Sequence, residues 1–367
     1  MTKAFDLVNH NILLYKLEKY GIRGKAYDWI KSYLSNRKVC TMITKTIGKI
    51  KKTYKSKYAI LDIGVPQGSL IGPFLFLIYI NDVTTATKHL KVLFADDTTI
   101  MVKCLNIFLY EQELINALKD IISWLDKNDL QVNLSKTKIM QFKYYNSIQI
   151  PKKITYDDIN IEEVDSLKFL GLIFDQHSNW KAHVDYICSK LDRFVYALRR
   201  LAKTVSITAA LCAYHGYVSS ILSYGLVIWG NSVEFNLVFK LQKKCIRAIC
   251  NVGPLESCKP LFKKLNILTL PCMYIRDMCI FVKKHPKYFV QNKDNNTANR
   301  SLRYPNKLTM PKCNSKTFLK SPYIMAIKIY NNLPKDLEKH NLVTFKRKLN
   351  EWLLEKCFYE VKDYLNS

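Results

Sequence analysis

Two adjacent carboxylates, Asp96 and Asp97, follow a short apolar run in Phe94-Ala95-Asp96-Asp97. Neighbouring side chains of a strand point to opposite faces, so a turn is needed to bring both to one site. Mg²⁺ is commonly held by one or two carboxylates together with substrate phosphates. Two such ions about 4 Å apart clamp the attacking and leaving oxygens of a phosphoryl transfer. The same pair also suits an ordinary solvated turn, where Asp is common. A second candidate is Gly64-Val65-Pro66-Gln67-Gly68-Ser69-Leu70-Ile71-Gly72-Pro73. Its glycines let backbone approach a ligand closely, and Gln67 can hydrogen-bond a flat polar group. It leads into a helix whose N-terminus favours a phosphate or a base edge, or it is a plain strand-to-helix connection. The third is Asn133-Leu134-Ser135-Lys136-Thr137-Lys138. A lysine such as Lys136 at a turn can neutralise or protonate a pyrophosphate leaving group, or form a solvated charge pair.

The elements around these residues follow from spacing and punctuation. Apolar residues at Ile12, Leu13, Leu17 and Tyr20, with Gly21 beyond them, predict a helix from Asn9 to Tyr20 with a glycine cap. A second helix is expected over 26–34. Strands are expected over 39–47 and 58–64, joined by the basic loop Lys49-Ile50-Lys51-Lys52. A very apolar helix follows over 73–80, then strands over 92–95 and 98–102 flanking Asp96-Asp97. Residues 111–126 read as a helix, 131–142 as turn and strand, and 168–174 as part of a hairpin. Beyond Trp180 the pattern turns helical over 182–202 and 235–250. Between Lys283 and Lys328 there are eleven Lys and Arg residues, four prolines and one acid, Asp294, which predicts a loop-rich region. The tail over 342–364 reads as an amphipathic helix.

Length and composition set the frame. The 367 residues suggest two or three domains, and 49% hydrophobic with 24% charged residues is ordinary for a globular protein. Wholesale disorder, collagen-like repeats and a small disulfide scaffold are excluded. Fifty-seven Lys and Arg against thirty Asp and Glu leave a formal charge of +27, which points to a polyanion partner. The N-terminus carries no signal-peptide pattern, so the eleven cysteines are expected to be reduced and intracellular. No CxxC pair lies among Cys245, Cys250, Cys258, Cys272 and Cys279, so buried structural thiols are expected rather than zinc. From Val205 to Val233 no charged residue occurs, a length sufficient to span a bilayer. The stretch holds His215, several serines and three glycines and is flanked by basic residues on both sides, so buried helices are expected and no membrane partner.

Taken together, the segments Lys3-Ala4-Phe5-Asp6, Gly64 to Ser69, Phe94 to Asp97 and Lys136-Thr137-Lys138 occur in a fixed order. In order and spacing they resemble the palm motifs of reverse transcriptases, nearest to those of non-LTR, LINE-type, jockey-like retrotransposons. Asn9 to Leu13, Gly21 to Gly24, Ser32 to Arg37, Phe169-Leu170-Gly171, Tyr224-Gly225, Trp229-Gly230 and Leu241 to Lys244 extend the resemblance over most of the chain. It implies an α+β fold: a truncated right-hand polymerase palm over 1–180 with fingers largely missing, a helical thumb-like region over 181–284, and a basic, mostly helical region over 285–367. The implied function is RNA-directed DNA polymerisation on an RNA template and DNA primer with deoxynucleoside triphosphates. Two Mg²⁺ ions, or Mn²⁺ in their place, would sit on Asp96 and Asp97. Gln67 and Gly68 would contact the incoming nucleotide and template, and Phe5 would lie under the sugar and exclude a 2′-hydroxyl. Lys136 would approach the triphosphate, and Phe169, Leu170 and Gly171 would grip the primer end. Nuclear residence follows by the same resemblance, since such elements copy RNA at a chromosomal target.

One departure is expected. The family's first palm motif carries a metal-binding aspartate five residues before its phenylalanine, which here falls one residue before Met1. Asp6 matches the second aspartate of that motif, which is not a metal ligand. A polymerase cut short, or a remnant that binds nucleic acid without extending it, are the two expectations.

Overall fold

The computed structural model describes residues 1–104, 106–142, 153–156, 159–292, 294 and 306–367. They fall into two compact units: Met1–Ile139 with Ser147–Val164, and Met140–Asn146 with Asp165–Ser367.

In the first unit, α1 (His10–Lys19) begins where the Asn9 side chain accepts from the amides of Asn11 and Ile12, and buries Leu13 and Leu17. Helix α2 (Lys25–Leu34) buries Ile30 and Leu34. Helix α3 (Ile71–Ile80) is apolar on every side and buries Leu75, Phe76, Tyr79 and Ile80. Lys16 locks α1 to it, donating to the Tyr79 carbonyl and to Asp82 Oδ1, both at 2.6 Å. The buried Tyr79 hydroxyl donates to the Asn128 carbonyl at 2.6 Å, at the C-terminal end of α4 (Tyr110–Lys127). Burial pushes that phenol up to about 12.

Most of the strands form small antiparallel pairs, and three make a mixed sheet. Strand β1 (Arg37–Val39) pairs with β4 (Ala59–Leu61), and between them β2 (Met42–Ile47) and β3 (Ile50–Lys55) make a hairpin of their own. The basic segment read from the sequence as a joining loop is therefore largely strand. Gly48 supplies the positive φ of 61° that a two-residue turn to Lys49 requires. Next come β5 (Leu90–Phe94) and β6 (Asp97–Met101). Strands β7 (Lys138–Ile139), β8 (Lys153–Tyr156) and β9 (Ile159–Glu163) form a sheet in the order β7-β9-β8.

The second unit opens with the hairpin of β10 (Ser166–Phe169) and β11 (Leu172–Asp175). The Asp175 carboxylate accepts from the amides of His177, Asn179 and Trp180 and so fixes the turn into α5 (Lys181–Thr204). The uncharged stretch follows as α6 (Ile207–Ala213), a π-turn (Tyr214–Ser219), α7 (Ser220–Ser223) and α8 (Leu226–Trp229). Its Tyr214, Val218, Leu222 and Trp229 enter the core, and among the described residues no helix is long and apolar enough to cross a membrane. Helices α9 (Phe235–Cys250), α10 (Lys259–Lys264) and α11 (Leu270–Lys284) extend that core, and later residues such as Ile327, Phe345, Leu349 and Tyr364 also enter it. In the region expected to be loop-rich, Pro322 starts the helix Pro322–Asn331, capped by Ser321, because proline at the first helical position loses no hydrogen bond. Cys245, Cys258, Cys272 and Cys279 are buried thiols. Desolvation lifts Cys245 to about 12 and Cys272 to about 11.

His183, buried on α5, accepts at Nδ1 from the Ile173 amide at 3.3 Å, and its Nε2 is buried without a partner. Desolvation lowers its pKa from 6.5 to about 4. The unfolded chain therefore binds the extra proton between pH 6.5 and 4, and stability falls as pH drops through that window, by at most about 3 kcal/mol. His183→Gln is expected to flatten this part of the pH profile in denaturant titrations. An unchanged slope would mean that other groups carry it.

Candidate active site

The two-residue turn between β5 and β6 is Ala95-Asp96, with Phe94 opposite Asp97 in the ladder. Ala95 holds a φ of 49°, a left-handed conformation that costs a non-glycine residue about 1 kcal/mol. Leu93 and Ile100 pack one face of this hairpin on the core of the first unit. Phe94 and Asp97 share the other face and are exposed, whereas Asp96 at the tip is half-buried. The Met1 amine donates to the Asp96 carbonyl at 3.4 Å, and the Thr2 amide donates to the Gln131 carbonyl at 2.9 Å. The first residues thus run between the carboxylate hairpin and the chain that leaves α4.

A second set of bonds ties the glycine loop to the same N-terminal segment. The Val65 amide donates to the Phe5 carbonyl and the Gly64 amide to the Val8 carbonyl, both at 2.8 Å. A Cβ on Gly64 would lie 2.9 Å from the Asp6 carbonyl oxygen, so this close approach needs glycine. Gln67 Nε2 donates to Asp6 Oδ1 at 2.8 Å. Phe5 stacks on Phe76 of α3 with ring centroids 4.5 Å apart. Gln67 and Gly68 are exposed, and the Ser69 hydroxyl accepts from the Gly72 amide at 2.9 Å, steadying the start of α3. Phe5, Gln67 and Gly68 therefore belong to one cluster, and Asp96 and Asp97 flank the Met1 end of the same segment.

Lys136 stands apart from these contacts. It ends a short 3₁₀ turn (Leu134–Lys136) whose start is capped by Asn133, and it is exposed. No hydrogen bond or ion pair among the described residues joins it to Asp96 or Asp97. Phe169 ends β10, and Leu170 and Gly171 form its turn, with φ values of 46° and 86°. The Tyr224 hydroxyl donates to the Leu170 carbonyl, so the tyrosine before α8 holds this turn within the second unit.

Sequence reasoning assigned no role to His10 or Arg37. His10 Nε2 and Arg37 Nη1 both reach the Gly64 carbonyl, at 2.8 and 3.0 Å, and fix the loop from outside. Nor did it separate Gln242 from its lysine neighbours. Gln242 is fully buried, donates to Tyr214 Oη and the Leu268 carbonyl, and accepts from the Leu270 amide. It is a satisfied core amide, whereas Lys244 and Arg247 of the same helix line an open cavity of about 370 Å³ with Asp192, Tyr196 and Arg199 of α5.

The donor set bears on divalent ions. Among the described residues no group of three His, Cys, Asp or Glu side chains could hold a metal. Two adjacent carboxylates at an accessible turn suit Mg²⁺ that keeps water and shares substrate phosphates, and do not make a closed cage.

A family model described as reverse transcriptase (RNA-dependent DNA polymerase) matches residues 1–174. A probable RNA-directed DNA polymerase from transposon BS of Drosophila melanogaster is 25% identical over 285 residues, 74% of this chain and 30% of its own. The RNA-directed DNA polymerase from mobile element jockey of the same fly is 26% identical over 67% of this chain and 27% of its own. A retrovirus-related Pol polyprotein from type-1 retrotransposable element R1 of Bradysia coprophila is 25% identical over 67% of this chain and 24% of its own. The chain thus spans between about a quarter and a third of the length of these relatives. Residues 1–174 thus match the reverse transcriptase family, and the chain is similar to the RNA-directed DNA polymerases of non-LTR retrotransposons.

Proposed function

We propose that this chain acts in RNA-directed DNA polymerisation, adding deoxynucleotides to a DNA primer on an RNA template. The observation that carries the reading is the convergence of three motif segments in the first unit: Met1 on Asp96, and Asp6 on Gln67. In the reaction the primer 3′-hydroxyl attacks the α-phosphate of the nucleotide and pyrophosphate leaves. Asp96 and Asp97 would hold the divalent ions, Mg²⁺ or Mn²⁺, which offset the charge that builds on the reacting oxygens. Phe5, braced by Phe76, would form the floor under the sugar. Gln67, held by Asp6, would meet the paired nucleotide, and Gly68 gives the room for its close approach. Lys136, exposed at the end of its turn, would meet the leaving pyrophosphate. Phe169, Leu170 and Gly171 would support the primer end, and Arg199, Lys244 and Arg247 would lie along duplex phosphates. Copying at a chromosomal site would place the chain in the nucleus.

The test is primer extension on an RNA template with Mg²⁺ and one varied nucleotide. Gln67→Ala is expected to raise the nucleotide KM about tenfold with a smaller change in kcat, since one hydrogen bond to a bound group is lost. An unchanged KM would remove Gln67 from the nucleotide site. A second reading, nucleic-acid binding without extension, rests on the two-carboxylate donor set, and it prevails if binding is firm and no template-directed product forms.

A further inference from the structure

The β2–β3 hairpin is not explained by the polymerase site. From Trp29 to Leu61 the chain holds nine Lys and Arg residues and no acid. Every side chain of β3 is exposed, and so are those of Met42 to Thr46. Among the described residues, no core residue of the first unit comes from either strand. A two-stranded hairpin with no sheet or helix beneath it is marginal in water.

The ladder register shows what the ribbon presents. Lys45 lies directly opposite Lys52, beside the Ile43–Tyr54 pair, on one face. Thr46 opposite Lys51, Thr44 opposite Thr53, and Met42 opposite Lys55 make the other. The Thr44 and Thr53 hydroxyls are 3.2 Å apart, which pins the register. Like charges placed directly across a ladder repel. Among the described residues none of these four lysines pairs with a carboxylate; Lys52 rests only over the Tyr54 ring, at 5.4 Å. An external anion at the Lys45–Lys52 pair would relieve this repulsion, and Lys51 and Lys55 offer charge on the other face.

We propose that this ribbon is a docking arm for double-helical DNA, seated in a B-form major groove, and the proposal rests on the polymerase reading above. Six residues per strand give a ribbon about 20 Å long, with its strands about 4.8 Å apart. A B-form major groove about 12 Å wide admits a two-stranded ribbon, whereas the major groove of an A-form helix is too narrow. Lysines on both faces reach the phosphate walls on either side. Single strands are held on a row of aromatic platforms, and the ribbon has Tyr54 alone. A lipid surface calls for an apolar face opposite a basic one, and here the two kinds are mixed on both faces.

The experiment is a fluorescence-anisotropy titration of the full chain at several salt concentrations. The probes are a short B-form duplex, an RNA–DNA hybrid, a single strand, and phosphatidylserine–phosphatidylcholine vesicles. The variant carries Lys45→Gln, Lys51→Gln, Lys52→Gln and Lys55→Gln; a second carries Lys→Arg at the same positions and checks that the hairpin tolerates substitution. The glutamine variant is expected to bind the duplex at least tenfold more weakly, with a salt slope lower by about 0.9 for each lost phosphate contact. The arginine variant retains binding, and the single strand is affected less than the duplex. Unchanged duplex affinity and slope overturn the proposal. So does an equal loss on single strands, or a loss confined to vesicles. Primer extension separates the two claims: extension without a ribbon effect on binding refutes the arm alone, and a ribbon effect with no template-directed product, even when a segment ending in aspartate is joined to Met1, refutes the polymerase reading alone.

Discussion

Joining to Met1 a segment that ends in aspartate is expected to raise primer extension about a thousandfold over residues 1–367 alone, and Asp96→Asn in the joined protein to abolish the gain. The geometry supplies the reason. The Met1 amine lies 3.4 Å from the Asp96 carbonyl, so a residue bonded to it enters beside the carboxylate turn. A third carboxylate there adds negative charge to a donor set that has two. Losing one ligand charge from a two-ion site costs about 4 kcal/mol of transition-state stabilisation, which is about three orders of magnitude in rate. Asparagine keeps the shape of Asp96 and removes its charge, while the basic surfaces that bind nucleic acid are untouched. Binding measured in parallel should therefore change little. If residues 1–367 extend primers as fast as the joined protein, two carboxylates suffice and the argument fails.

The largest expected loss of stability is at Gly230. A Cβ there would stand 2.3 Å from Tyr274 Cδ2 and 2.6 Å from its Cε2. Tyr274 is fully buried in α11 and packs against Phe235 with ring centroids 6.1 Å apart, so it cannot withdraw without opening the core. Gly230→Ala is expected to destabilise the second unit by about 3 kcal/mol. Gly216→Ala makes the paired measurement, because nothing lies within 4 Å of a Cβ at Gly216, and alanine there is neutral to slightly stabilising. Equal midpoints for the two variants in chemical denaturation would show that the α8–α11 contact is not tight.

Much of this was legible in the sequence wherever local chemistry and long-range pairing agree. Asn9 and Gly21 bracket α1 because each satisfies backbone groups at a helix end, whatever the rest of the chain does. The Asp96 turn was legible because Phe94 and Asp97 flank it in matching strand patterns. Strand β3 was not, because Ile50-Lys51-Lys52 alternates weakly, and its pairing comes from the Gly48 turn and the threonines across the ladder. The helix from Pro322 was hidden by its own proline, which reads as a breaker until its place at the first helical position is known. His10 and Arg37 could not be placed, since their shared acceptor, the Gly64 carbonyl, is brought to them by the tertiary fold. Burial alone separates Gln242 from Lys243 and Lys244; the spacing of an amphipathic helix shows which positions turn inward, but not that an amide there finds its three partners.

The place of the Met1 amine has a practical side. The Met1 nitrogen lies 3.4 Å from the Asp96 carbonyl, so whatever is joined to it emerges beside the carboxylate turn. An affinity tag fused ahead of Met1 would emerge at this spot and crowd it. A recombinant protein purified by a handle after Ser367 leaves this end as it is. Preparations that differ only in which end bears the tag would differ in metal affinity for reasons unrelated to folding.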